Sequence, residues 1–295
     1  DMAPGSKRFP MTTSLTASYE YCRQLTRRTA HNFGYAFLTL PRDRRQAMHA
    51  LYAFMRIADD CSDDTSLTLE ERRTALTAWS TAFRTGLEGE TPSHPALPAV
   101  IDTVRRYGIP EQYFQEVLVG VARDMEPVAI ATFAELEDYC YHVAGAVGLC
   151  CLSIWGMRHA DAIPRGIDCG LAFQLTNILR DIREDRDLGR IYLPAEDLAR
   201  FDLTVADLGA PSTLTRYREF MRFQVARAQD YYQRSEALFD LIEPVGRPIL
   251  HAMRDIYHGL LKEIERRQYD VFSSRVSLPR WKKLWYVGKA LLRRR

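Results

Sequence analysis

The chain has almost no net charge: forty Lys and Arg face thirty-eight Asp and Glu, leaving a formal +2 over 295 residues. A protein that grips nucleic acid through bulk charge carries a larger basic excess, so that class is set aside. Six cysteines, at 22, 61, 140, 150, 151 and 169, form no CxxC pair and no Cys/His spacing suited to zinc. They read as small, reduced core residues of a cytoplasmic protein. There is no HExxH, no glycine-rich dinucleotide fingerprint, no Asn-Gly or Asp-Gly hairpin turn and no internal repeat. The one long stretch without Asp, Glu, Lys or Arg runs from Tyr139 to Met157. It is barely long enough to span a bilayer and carries Tyr139, Tyr141, His142 and Ser153, which favours a buried central helix.

What is present points to helices. A 46% hydrophobic and 11% aromatic composition can bury a large core. Residues 43–58 place Met48, Leu51, Tyr52, Met55 and Ile57 at helical spacing, and Thr68 to Leu87 repeats the pattern before Gly86 and Gly89 end it. Helices are also expected over 97–107, 110–123, 133–157, 165–186, 213–240 and 245–272. Pro and Gly clusters fall at the boundaries between them. The fold class is therefore all-α: one helical domain over 15–279, after a loose leader at 1–14 and before a basic amphipathic tail at 280–295. The leader lacks the apolar stretch of a secretory signal.

Two acidic constellations stand out. In Arg56-Ile-Ala-Asp59-Asp60-Cys-Ser-Asp63-Asp64, Asp59 and Asp63 lie one turn apart on a helix, and Asp60 and Asp64 make a second stacked pair. Like charges at this spacing weaken a helix by about 0.2–0.5 kcal/mol per pair. Mg²⁺, which takes carboxylate oxygens and keeps waters for a phosphate to replace, would relieve that repulsion. A solvated, Asp-rich helix end is the plain alternative. The second constellation is a stripe of Gln174, Asn177, Asp181 and Asp185 at intervals of three, four and four, beside apolar Leu171, Leu175, Ile178 and Ile182. A helix laced with surface ion pairs would explain Arg183 and Glu184. It does not explain why Gln174 and Asn177 carry the stripe into an apolar segment.

With these residues in hand, the sequence resembles the squalene/phytoene synthase family of head-to-head prenyltransferases. The likeness runs from about Ser18 to Trp285 and rests on HNFGYAF (31–37), LYAFMRIADDCSD (51–63), YCYHVAGAVG (139–148), QLTNILRDIREDRDLGRIYLP (174–194) and YDVFSSRVSLPRWKKL (269–284). It implies an isoprenoid synthase bundle around one central cavity. Asp59 and Asp63 would form the first Mg²⁺ motif, and Asn177, Asp181 and Asp185 the second. Gln174 would reach the diphosphate or its metals. Arg56, Arg180 and Arg190 would be cationic partners of phosphate oxygens, and Tyr192 a hydroxyl donor. Tyr141 would stand beside the reacting carbons, with Phe33, Phe37 and Tyr257 lining the cavity.

The implied chemistry is condensation of two allylic diphosphates, with the C15 farnesyl compound placed first. It passes through presqualene diphosphate and on to squalene if a hydride donor such as NADPH serves the site, or to hydroxysqualene if water does. Phytoene synthesis from two C20 geranylgeranyl diphosphates is the alternative. A class I cyclase, a head-to-tail prenyltransferase and a non-catalytic scaffold fit less well, because both acidic motifs are intact and the second is not DDxxD. Family members often have a Ser/Lys-rich stretch where this chain has Thr29-Ala30-His31-Asn32. Finally, the segment from Arg280 to Arg295 has seven basic and no acidic side chains, and Trp281, Leu284, Trp285, Gly288, Leu291 and Leu292 share one helical face. Such a helix suits the inner surface of an anionic membrane.

Overall fold

A computed structural model describes residues 14–30, 33–210 and 213–293. Fourteen α-helices are described: α1 (Leu15–Thr29), α2 (Phe33–Ala36), α3 (Arg42–Asp63), α4 (Leu69–Glu88), α5 (Leu97–Tyr107), α6 (Glu111–Arg123), α7 (Phe133–Cys140), α8 (Ala146–Trp155), α9 (Ala162–Asp187), α10 (Ala195–Arg200), α11 (Leu214–Arg234), α12 (Leu238–Leu241), α13 (Arg247–Arg266) and α14 (Arg280–Leu292). Two two-residue strands, β1 (Val128–Ala129) and β2 (Arg190–Ile191), pair in parallel. No described helix is long and apolar enough to cross a membrane.

The helix boundaries follow local chemistry. Thr68 and Glu71 cap α4 reciprocally, and left-handed Gly89 ends it. The expected helix over 245–272 stops at Arg266, because Gln268 and Tyr269 take positive φ and fold the chain back. The helix expected over 133–157 is one rod with a π-helical turn at Tyr141–Gly145 between α7 and α8. A π turn inserts one residue and rotates everything beyond it. Val143 is pushed against α6 there, where a Cβ on Gly120 would lie 2.7 Å from Val143 Cγ1.

Helices α3, α6, α8, α9 and α13 surround the cavity. Close approach of α9 to the π turn and α8 comes from small residues: a Cβ on Gly170 would sit 2.6 Å from the Ala144 carbonyl oxygen, and one on Gly148 3.2 Å from that of Gly166. On its outer side α3 packs a ring cluster in which Phe54 meets Phe83, Phe114 and Trp79 at 4.8–5.3 Å.

Two histidines in this shell are held neutral. His94 Nδ1 accepts a hydrogen bond from the Ala96 N–H at 3.2 Å and its ring meets Trp79 edge-on, while His49 meets Phe37. Burial pushes both imidazoles down to about 4. In the unfolded chain they protonate near 6.5, so their contribution is complete above that pH and lost as pH falls towards 4. Urea unfolding is therefore expected to show about 2 kcal/mol less stability per ring at pH 4.5 than at pH 7. A His94→Gln variant should flatten part of that slope. An unchanged slope in the variant would count against this assignment.

Candidate active site

A cavity of about 330 Å³ lies between the two acidic motifs and the core. Its mouth holds Arg56 and Asp59 from α3, Asp124 at the end of α6, Tyr139 from α7, and Gln174 and Asn177 from α9. Below this polar collar the wall is apolar or aromatic, with Phe37, Tyr52 and Phe173 among its rings. The two motifs that the sequence places on separate helices thus meet at one end of one cavity.

The electrostatics at the mouth are uneven. Burial and the neighbouring Asp63 charge push the Asp59 carboxyl up to about 7, against Arg56. Arg56 is instead ion-paired with Asp60 one turn on. Burial and Asp181 raise Asp185 to about 7 as well. Asp181 differs: burial opposes its charge, yet Arg180 and Arg275 hold it below the ordinary carboxylate range. Arg180 Nε donates to Asp181 Oδ1 at 2.8 Å, and Arg275 Nε and Nη2 donate to the two oxygens at 3.0 and 3.1 Å. Asp63 accepts from Arg190 Nη2 at 3.0 Å.

The expected metal ligands are therefore spread around the mouth, and no three carboxylates, histidines or cysteines among the described residues converge into a ready-made cage. That arrangement suits Mg²⁺, which is typically held by one or two carboxylates together with waters and phosphate oxygens. One further observation favours hard-cation binding. Asn177 Nδ2 donates to Gln174 Oε1 at 3.3 Å, but Asn177 Oδ1 is buried with no hydrogen-bond partner. A buried oxygen without a partner, on the helix that also carries Asp181 and Asp185, suits a hard cation.

Several expected substrate residues take unforeseen places. Tyr141 starts the π turn and is not among the described residues lining the cavity; the extra residue of that turn presents Val143 and Ala144 instead. Tyr139 is the tyrosine of this segment that lines it. Tyr257 is fully buried behind the wall, stacked on Phe173 at 4.6 Å. Phe37 lines the cavity. The Phe33 side chain, His31 and Asn32 lie outside the described residues.

Asp124 at the mouth was not anticipated, nor Arg275 beside Asp181, nor Lys283 near Arg180. Asp124 Oδ1 accepts from Tyr192 O–H at 2.7 Å and Oδ2 from Tyr139 O–H at 2.9 Å, while the two phenol rings stack at 4.8 Å. Its backbone carbonyl accepts from Arg190 Nη2 at 2.8 Å, so one residue ties α6, α7 and β2 to Asp63. The β1–β2 pair brings Arg190 and Tyr192 here. In sequence Asp124 looks like an ordinary residue ending a helix, and only its neighbours in space distinguish it. Lys283 of α14 is buried, and burial with Arg180 and Arg280 nearby holds its ammonium below the usual range. Asp124→Asn is expected to lower turnover about 10–100-fold with helical content intact, because an amide cannot accept from both phenols. Equal turnover in the variant would remove Asp124 from the site.

The structure is an all-α bundle around an apolar cavity with carboxylates at its mouth. The model of the squalene/phytoene synthase family matches residues 26–282, and the chain belongs to that family of isoprenoid prenyltransferases. It is 38% identical to phytoene synthase of Arthrospira platensis, over 94% of each chain. It is 36% identical to 15-cis-phytoene synthase of Synechococcus elongatus, over 95% of this chain and 94% of the relative. Among solved structures it resembles a dehydrosqualene synthase in complex with ligand (TM-score 0.85, 29% identity, 94% and 96% covered). It also resembles squalene synthase HpnC from Alicyclobacillus acidocaldarius (TM-score 0.80, 30% identity, 89% and 97% covered).

Proposed function

We propose that the protein joins two geranylgeranyl diphosphates head to head to make phytoene. The observation that carries this reading is a cavity with a charged mouth and a deep apolar interior, in a chain whose curated relatives at 36–38% identity are phytoene synthases. This reverses the order in which the sequence alone ranks the C15 and C20 substrates. The C15 reading keeps one specific support: the two solved structures above are a dehydrosqualene and a squalene synthase.

Asp59, Asp63, Asn177, Asp181 and Asp185 would hold Mg²⁺, which when bound would neutralise the departing diphosphate. Arg56, Arg180, Arg190 and Gln174 would grip the phosphate oxygens, joined by Arg275 once Asp181 turns from it to the metal. Phe37, Tyr52, Phe173 and Tyr139 face the cavity with electron-rich rings that stabilise an allylic cation without capturing it. Water is excluded by the apolar wall, so the cation is attacked by the second substrate's double bond, and proton loss closes the cyclopropane of an intermediate that keeps the second diphosphate. Phytoene formation then releases that diphosphate, rearranges the new cation and ends in a further proton loss, with no need of NADPH; the squalene product would need it.

The outer face of α14 extends the proposal to lipid. Lys283, Val287 and Ala290 point into the protein, while Trp281, Leu284, Trp285, Leu291 and Leu292 are exposed beside Lys282 and Lys289. We assign this face to an anionic bilayer, where a hydrocarbon product would partition. Co-sedimentation with phosphatidylglycerol vesicles should exceed that with phosphatidylcholine and fall for Trp281→Ser with Trp285→Ser. Equal sedimentation with both lipids would sink the assignment.

The function itself is tested by incubating purified protein with Mg²⁺ and either farnesyl or geranylgeranyl diphosphate, with and without NADPH, and identifying products by mass spectrometry. A C40 hydrocarbon from the C20 substrate is expected. C30 products from the C15 substrate alone would move the assignment to the squalene branch, and cyclised monomers alone would overturn head-to-head condensation.

A further inference from the structure

Two anchors hold the rod formed by α7, the π turn and α8, and they are out of step with one another. On the α7 side the Tyr139 O–H donates to Asp124 Oδ2 at 2.9 Å, and its ring stacks on Tyr192. On the α8 side the backbone is fixed against α9, where a Cβ on Gly170 would lie 2.6 Å from the Ala144 oxygen and one on Gly148 3.2 Å from the Gly166 oxygen. Between the anchors the Ala146 N–H donates to the Tyr141 carbonyl, five residues back, which takes up one extra residue. Relaxed to an unbroken α-helix, the rod would turn α7 by about 100° against α8, and one of the two anchors would be lost.

His142 is the polar side chain buried within that turn, only 9% exposed. Its Nδ1 lies 3.0 Å from Glu116 Oε2 on α6, and its Nε2 3.7 Å from Asp138 Oδ1 one turn back. Asp138 in turn accepts from Arg123 Nη1 at 2.7 Å. Glu116, Gly120 and Arg123 are spaced four and three apart, so one stripe of α6 meets the turn. Gly120 supplies the room: a Cβ there would lie 3.0 Å from His142 Cβ and 3.2 Å from the Val143 nitrogen. A carboxylate oxygen 3.0 Å from Nδ1 requires a proton on that nitrogen, since two lone pairs would repel.

We infer that His142, clamped by Glu116, is a positioning residue: it holds the π turn, and the turn lets Tyr139 stay on Asp124 while Val143 and Ala144 line the cavity. The inference rests on the prenyl transfer of the family and not on the choice between C15 and C20 tails. His142 is not among the described residues lining the cavity, so it acts through those that are. Its loss changes how the wall meets a reacting cation and leaves the diphosphate contacts of α3 and α9 in place. A contact that served stability alone would lower the melting temperature without selecting one kinetic constant.

The test measures kcat and KM, with Mg²⁺ and whichever of the C15 and C20 diphosphates the wild type condenses, in His142→Leu, His142→Asn, Glu116→Leu and His142→Leu combined with Tyr139→Phe. His142→Leu and Glu116→Leu are each expected to lower kcat about 10–100-fold with KM within about twofold, as a small misplacement at the reacting centre does. His142→Asn, whose amide N–H can stand where Nδ1–H stood, should recover most of that loss. In the Tyr139→Phe background His142→Leu should cost no more than about twofold further, because the hydroxyl tether that the turn keeps in phase is already gone. The two clamp residues lie on different elements, so a folding failure at one leaves the other to decide. Unchanged kcat in the folded variants, His142→Asn as slow as His142→Leu, or an equal loss with and without the Tyr139 hydroxyl would each overturn the positioning role while leaving the reaction intact. A wild type that condenses neither diphosphate would overturn both.

Discussion

Asp59→Asn is expected to make the metal-free protein more stable and the enzyme about 10³-fold slower, the upper end for losing one electrostatic contact to developing charge. The two effects have one origin. Burial and Asp63 hold the Asp59 carboxyl at about 7, far above its ordinary 3.8. A raised carboxyl binds its proton more tightly in the folded state, so its ionisation weakens the fold as pH rises from about 4 to about 7. Asparagine removes that penalty. In EDTA the variant should gain about 2 kcal/mol at pH 8 and nothing at pH 4, read from urea midpoints. With Mg²⁺ and inorganic diphosphate the order should reverse, because the wild type gains a ligand-linked stabilisation that the variant lacks. Equal stability of variant and wild type at pH 8 in EDTA would show that Asp59 is not under electrostatic strain.

Asp181→Asn makes the useful contrast. Asp181 is satisfied by Arg180 and Arg275, and Arg180 is itself buried. Neutralising it should slow the enzyme too, yet destabilise the metal-free protein, since a buried guanidinium loses its counter-charge. Two aspartates assigned to the same task on the sequence thus differ in the sign of their stability effect, which follows from whether an arginine reaches them.

That difference marks where the sequence stops being informative. Helical periodicity locates α5 at 97–107 without error and α3, α4, α6 and α9 to within a few residues, because each carries an apolar stripe and clear end signals. The spacing within the two acidic motifs is legible for the same reason: it is local. Contacts across the bundle are not local. Arg275 reaches Asp181 over ninety-four residues, and Asp124 collects Tyr139 and Tyr192 from opposite directions in the chain. The π turn is also invisible to a 3.6-residue pattern, since both flanks read as one helix. Across it the cavity is lined by Val143 and Ala144, and Tyr141 is not among the lining residues.

Gly170→Val is expected to abolish folding, the largest stability effect we anticipate. The added Cβ would lie 2.6 Å from the Ala144 oxygen, 2.8 Å from its carbonyl carbon and 3.0 Å from Gly145 Cα, all backbone atoms that cannot turn aside. Relief requires α9 to move off the π turn, which breaks the contact on which the cavity wall and the placement of Asn177 both depend. Overpacking of this kind exceeds the usual 1–3 kcal/mol because no side chain can yield. Gly288→Ala on α14 is the control: nothing lies within 4 Å of its added Cβ, and helix propensity should stabilise it by up to about 1 kcal/mol. Circular dichroism melts of both variants decide the matter. A Gly170→Val protein that melts near wild type would mean that α9 is free to move off the π turn, and that the cavity wall and the placement of Asn177 do not depend on this contact.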